Sequence, residues 1–186
     1  AAWANATQES VKATRVRAQV LDQSLGGYRL LWPRETGIRI RVGEVLGLTI
    51  AHEEDDPLWM VGVVRWMRYH GDGSVDAGIE LLARRARAVG LRTLDLLGTP
   101  KPSQRGVALD WLRDPGSESS YFLAPALIDT QAGRIEVAGM QAAEEELDAE
   151  HSVAAVSFAG LTAVEQAGDY VLLRARRGSD IASAVA

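Results

Sequence analysis

The sequence predicts an all-β protein made of two successive β units, and three observations carry that reading. Short segments alternate apolar and polar residues with a period of two, the signature of half-buried strands. Clusters of Gly, Asp and Pro punctuate them at turn spacing. No helical pattern of 10–15 residues separates the strands, as a βαβ sheet would require. A barrel or sandwich satisfies all three.

Element by element, residues 15–21 alternate Val16, Ala18 and Val20 with Arg15, Arg17 and Gln19, and run into the turn Gly26-Gly27. Residues 28–32 form a second apolar run closed by Pro33, residues 38–42 alternate again, and 45–50 read as buried. The acidic stretch 53–56 with Pro57 is a loop. Residues 58–68, rich in β-branched and aromatic side chains, pair through the hairpin signal Asp72-Gly73 with the return strand 76–82, whose Ala77, Ile79 and Leu81 share one face. The basic segment 83–89 follows, helical or extended. Beyond Gly98-Thr99-Pro100-Lys101-Pro102, taken as an extended linker, strands are predicted at 106–113, 121–128, 134–137, 153–161 and 170–176. Residues 141–150, acidic and Ala-rich, form either a helix or a solvated loop. The predicted domains are therefore 1–98 and 103–178.

Composition narrows the function classes. The chain has 186 residues, 20 Lys+Arg against 25 Asp+Glu, a formal charge of -5 and no cysteine. Disulfide scaffolds, thiolate zinc sites and cysteine nucleophiles are excluded. The three histidines, His52, His70 and His151, are too scattered for a His-rich metal site. No apolar run approaches the roughly 20 residues that span a bilayer, and the N-terminus lacks the pattern of an intact signal peptide. A cytoplasmic protein is the default expectation. The missing initiator Met reads as a processed product or a piece of a longer chain. Charge is uneven: residues 1–98 hold 13 basic and 12 acidic residues, while residues 99–186 hold 7 and 13. Cationic groups for an anion thus concentrate in the first half, and whole-chain acidity argues against a DNA binder.

The most informative segment is Asp22-Gln23-Ser24-Leu25-Gly26-Gly27. Asp22 can accept two parallel hydrogen bonds from an amidine-like edge such as that of guanine. Ser24 can donate to an anion, and Gly27 permits positive φ and close approach of a ligand. The alternative is a simple turn in which Asp22 and Ser24 cap their own backbone.

The surroundings bear on this choice. Asp22-x-Ser24-x-x-Gly27 is followed by Val42-Gly43-Glu44, by the strand Val64-Arg65-Trp66 and by Gly78-Ile79-Glu80-Leu81. This order resembles the PilZ domain family over about residues 15–82. The resemblance implies a six-stranded β-barrel acting as a receptor for the bacterial second messenger cyclic di-GMP, with Asp22, Ser24 and Gly27 holding a guanine. It also implies an R-x-x-x-R arm upstream, and no such spacing occurs anywhere in this sequence. Two explanations stand. Either the arm lies upstream of Ala1, or the domain has lost the nucleotide and serves as a protein-interaction module. Arg15 and Arg17 are the candidate substitutes; the plain alternative is that they solubilise a strand edge.

The remaining candidates are structural. Trp59 and Trp66 read as core anchors of their strand. Arg84, Arg85 and Arg87 read as a solvated face, as do Glu144–Glu146 with Asp148 and Glu150. Asp110, His151, Ser152 and Ser157 lack a nucleophile elbow, and no phosphate-binding glycine loop occurs. The expectation is a non-catalytic module without cofactor or metal, with cyclic di-GMP as the implied ligand, a protein partner, no membrane insertion and an undetermined oligomeric state.

Overall fold

The computed structural model describes residues 15–50, 59–113, 118–139 and 155–178. The expected loop at 53–57, the segment 141–150, His52 and His151 lie outside them. Ten strands account for the described architecture: β1 (Gln19–Ser24), β2 (Gly27–Trp32), β3 (Val45–Leu48), β4 (Met60–Tyr69), β5 (Val75–Leu94), β6 (Gln104–Trp111), β7 (Ser119–Pro125), β8 (Arg134–Gly139), β9 (Val156–Gln166) and β10 (Tyr170–Arg177). The all-β expectation holds. Among the described residues the only helical element is a single 3-10 turn, Arg34–Thr36.

Two compact units divide the chain, with β5 contributing to both. In the first, residues 15–86 with 110–113, the strand order is β1-β2-β5-β4-β3. Period-two alternation decides which side chains go inside. Ala77 and Ile79 of β5 join Leu30, Trp32, Ile40 and Val64 in one core cluster, while Asp76, Gly78 and Glu80 face the other way. The expected strand at 38–42 does not form. Gly37 and Gly43 both have positive φ, and Glu44 folds back, its Oε2 accepting from Arg41 N–H at 2.8 Å and its N–H donating to Arg41 O. Backbone groups closed into a turn cannot feed a ladder, yet Ile40 is still buried in the core.

The β4–β5 hairpin forms as its sequence predicts, with one difference. Only Gly73 takes positive φ, and Asp72 instead accepts hydrogen bonds from Ser74 N–H and Oγ–H at 2.8 and 2.7 Å. The Asp side chain organises the turn through its oxygen rather than through its backbone.

In the second unit, residues 87–109 with 118–178, six strands close a ring in the order β5-β6-β7-β10-β9-β8 and back to β5. Its interior holds Leu91, Phe122, Ile135, Phe158, Val171 and Leu173, and Phe122 meets Phe158 edge-on at 5.1 Å. Closure leaves the ring strands without a free edge. The basic segment 83–89 is extended, a continuation of β5. Gly98-Thr99-Pro100 belongs to a hairpin turn rather than to a linker. Asp95 Oδ1 accepts the N–H groups of Leu97 and Thr99 at 2.9 and 2.7 Å, and Pro100 bridges back to Leu94. An aspartate four residues ahead of Thr99 supplies acceptors that the prolines alone did not reveal.

One glycine in this ring is held by packing rather than by its torsions. A Cβ on Gly106 would lie 2.2 Å from Leu91 Cδ1 and 2.7 Å from Leu123 O. Overpacking of this kind costs about 1–3 kcal/mol, so Gly106→Ala is expected to lower the urea unfolding midpoint correspondingly.

Candidate functional site

The candidate site is an open groove of about 340 Å³ in the first unit, lined by Asp22 and Ser24 of β1, Tyr28 and Arg29 of β2, Arg65 and Trp66 of β4, and Gly78 and Glu80 of β5. That volume falls at the small end of the range for small-molecule sites, about 300–1,000 Å³. Strand register explains why these residues converge. Arg29 pairs with Gly78 across β2–β5, and Trp66 pairs with the same Gly78 across β4–β5. The three stand in a row, with adjacent strands about 4.8 Å apart. The missing side chain of Gly78 is what joins them. The Trp66 indole lies across it so closely that a Cβ there would sit 2.0 Å from Nε1. Leaning over the glycine, the ring meets the Arg29 guanidinium 5.8 Å from its centroid, within cation–π range. Trp66 remains 42% exposed, so it is a wall of the groove and not the core anchor expected of it.

Charge is arranged around that row. Arg29 donates from Nε and Nη2 to Asp76 Oδ2 at 3.0 and 2.5 Å, and Asp76 is fully buried. His70 Nε2 lies 3.4 Å from the other carboxylate oxygen. The Arg29 hydrogen bond, outweighing the opposite effect of burial, holds the Asp76 carboxyl below its ordinary range. Further along β5, Glu80 accepts from Arg65 Nε at 2.5 Å and from Arg113 Nη2. Burial alone would raise the Glu80 carboxyl; the hydrogen bonds from Arg113 and Arg65 outweigh it and lower it.

The motif residues sit at the β1–β2 hairpin. Asp22 Oδ1 accepts from Gln23 N–H at 2.8 Å, and Ser24 Oγ accepts from Gly26 N–H at 3.2 Å while donating to Gly27 O at 3.4 Å. The turn-capping alternative is therefore realised, yet Asp22 is exposed at the groove with its second oxygen unengaged among the described residues. Gly27 is required for a reason other than the one expected. Among the described residues positive φ is found at five glycines, and Gly27 is not one of them. A Cβ on it would lie 2.0 Å from Ile79 O, so β5 passes too close for any side chain. Arg84 of β5, expected on a solvated face, donates from Nη2 to Leu25 O at 2.9 Å and braces the hairpin tip.

Comparisons with known proteins now bear on this half of the chain. Residues 2–88 match the family model described as the cyclic-di-GMP receptor FimW, middle PilZ domain. Over 77 residues, 40% of this chain, the sequence is 38% identical to the cyclic-di-GMP receptor FimW of Pseudomonas aeruginosa. Residues 2–88 are thus similar to a PilZ domain. The match covers 12% of that relative's length. Among solved structures, K. pneumonia MrkH covers 87% of this chain and 72% of its own at 9% identity and a TM-score of 0.27.

Within the first unit, the fold brings Asp22, Ser24 and Gly27 to one groove and leaves Arg15 and Arg17 outside its lining. Both arginines precede β1 and are exposed, and the Arg15 guanidinium stacks 5.5 Å from the centroid of the Trp59 ring. The groove's own cations, Arg29 and Arg65, were not singled out by the sequence, although each lies within a residue or two of a motif position. Among the described residues no group of three or more His, Asp or Glu could hold a metal ion, and no helix is long and apolar enough to cross a membrane.

The buried Asp76 carboxylate makes a pH prediction. Its folded pKa lies below the ordinary value of 3.8, so its contribution is present above that value and is lost as pH falls through the folded pKa. Asp76→Asn is expected to lower the urea midpoint at pH 7. The gap to wild type should begin to narrow as pH falls below the ordinary carboxyl value of 3.8 and vanish only below the still lower folded pKa.

Proposed function

We propose that this PilZ domain is a non-catalytic signalling receptor whose groove binds cyclic di-GMP. The observation that carries the reading is the convergence of three complementary features in one groove. An exposed carboxylate at Asp22 is suited to the amidine edge of guanine. A half-exposed indole at Trp66 offers an aromatic surface to a base. The guanidiniums of Arg29 and Arg65 are suited to phosphate. The 38% identity to a protein named as a cyclic-di-GMP receptor supports the same ligand. In this reading the domain works in the cytoplasm and acts by binding, and a protein partner reads the liganded state.

Calorimetric titration of the chain with cyclic di-GMP tests it directly. Asp22→Ala is expected to weaken binding by about one to two orders of magnitude, the worth of a charge-assisted hydrogen-bond pair. Ser24→Ala should follow in the same direction through loss of the turn that presents Asp22. No heat at high micromolar ligand from the wild-type chain would sink the proposal and favour a PilZ fold kept as a protein-interaction surface.

A further inference from the structure

We infer that Arg29, held by Asp76, makes this groove specific for guanine, reading the O6 and N7 acceptors of a base whose N–H edge Asp22 takes; this rests on the cyclic di-GMP reading above. The observation is a single row of residues across four strands. Asp22 of β1 pairs with Arg29 of β2, Arg29 with Gly78 of β5, and Gly78 with Trp66 of β4. Directly opposed residues share a face, so carboxylate, guanidinium, bare Cα and indole stand side by side over about 14 Å, three strand spacings. Two bulges build the row. The register shifts between Val20 and Asp22 in β1, and between Val64 and Trp66 in β4. Unbroken pairing would set Leu21 opposite Arg29 and Arg65 opposite Gly78. Each bulge instead brings in the residue whose chemistry suits a base, the re-aiming that bulges perform beside binding sites.

Asp22 and Arg29 are cross-strand neighbours of opposite charge, the usual setting for an ion pair. No ion pair joins them. Arg29 turns the other way and gives Nε and Nη2 to one oxygen of Asp76, Oδ2, at 3.0 and 2.5 Å. Asp76 is fully buried, so this bond fixes the guanidinium to the body of the sheet. The grip is side-on. It leaves Nη1 without a partner among the described residues, on a side chain 44% exposed at the groove. Asp76 balances the charge of Arg29, so what the outer edge offers is geometry, two parallel N–H donors from Nη1 and Nη2. Asp22, spared by Arg29, keeps an oxygen for the groove. An acceptor and a donor fork thus stand side by side. Guanine carries N–H donors at N1 and N2 next to acceptors at O6 and N7; adenine puts an N–H donor where guanine has O6, facing the Arg29 donors.

Titrations of the whole chain with cyclic di-GMP and cyclic di-AMP test this, because the two share a sugar–phosphate ring and differ in the base. Arg29→Lys keeps a positive charge beside Asp76 and removes the planar fork. It is expected to weaken cyclic di-GMP about 10- to 100-fold, the worth of a bidentate base contact, and to leave cyclic di-AMP within about twofold. Asp76→Asn releases Arg29 toward Asp22 and should weaken cyclic di-GMP about tenfold. In an Asp22→Ala background the same change should cost less than about threefold, a non-additivity that a merely structural Asp76 would not show. Unfolding curves under the binding conditions separate a binding defect from a folding one. If Arg29→Lys leaves cyclic di-GMP within twofold, or weakens both ligands by the same factor, Arg29 does not read the base and the inference falls while the receptor reading stands. If the wild-type chain gives no heat with cyclic di-GMP, the receptor reading itself falls and takes the inference with it.

Discussion

The register of β5 between β2 and β4 is the constraint on which the PilZ-like unit depends. It sets Gly27 opposite Glu80, Arg29 opposite Gly78 and Trp66 opposite the same Gly78. It also sends Ala77 and Ile79 into the core and Gly78 and Glu80 to the groove, with Asp76 buried on the same face as Gly78 and Glu80. A slip of one residue would exchange those faces, placing two carboxylates in an apolar core. Apolar burial therefore holds the register, and the register builds the groove. Two glycines make it sterically feasible. Gly27 lets the β5 backbone pass, and Gly78 lets an indole lie across the strand.

The electrostatics of the site follow from the same geometry. Positions on that face of a central strand have neighbours on both sides, so each β5 carboxylate meets side chains from two directions. Asp76 is bonded by the Arg29 guanidinium and has the His70 imidazole 3.4 Å away, and Glu80 is met by two cations, Arg65 and Arg113. Buried or half-buried acids that gain such partners are held ionised, and the arginines are held in place in return. In the proposed reading, a groove edged by guanidiniums and the outlying carboxylate of Asp22 suits a ligand that combines negative charge with a hydrogen-bonding base.

Much of this was legible beforehand, for identifiable reasons. Period-two alternation at 76–82 is a local signal, and that segment is a strand with Ala77 and Ile79 on its core face as expected; residues 170–176 form the strand expected there. Segment 38–42 alternates just as clearly and is not a strand, because Gly37, Gly43 and the Glu44 side chain close its backbone into turns. The prolines at 100 and 102 suggested a linker, whereas the acceptor that decides the local structure is the carboxylate of Asp95. Trp66 carries the pattern of a core anchor, and its exposure is set by the empty position at Gly78 on a strand twelve residues away.

By itself, then, the sequence determined the all-β class, most strand positions and the Asp22–Gly27 motif, since alternation and turn chemistry act between near neighbours in the chain. Tertiary structure alone decided which residues share the groove. Asp22, Arg65, Trp66 and Glu80 come from three separate strands, and only the pairing register states that they meet. It likewise decided why Gly27 is glycine, since the atom that excludes a side chain there, Ile79 O, lies 52 residues away along the chain. Local rules can say what a residue is able to do. What stands beside it is settled by the packing of strands distant in sequence.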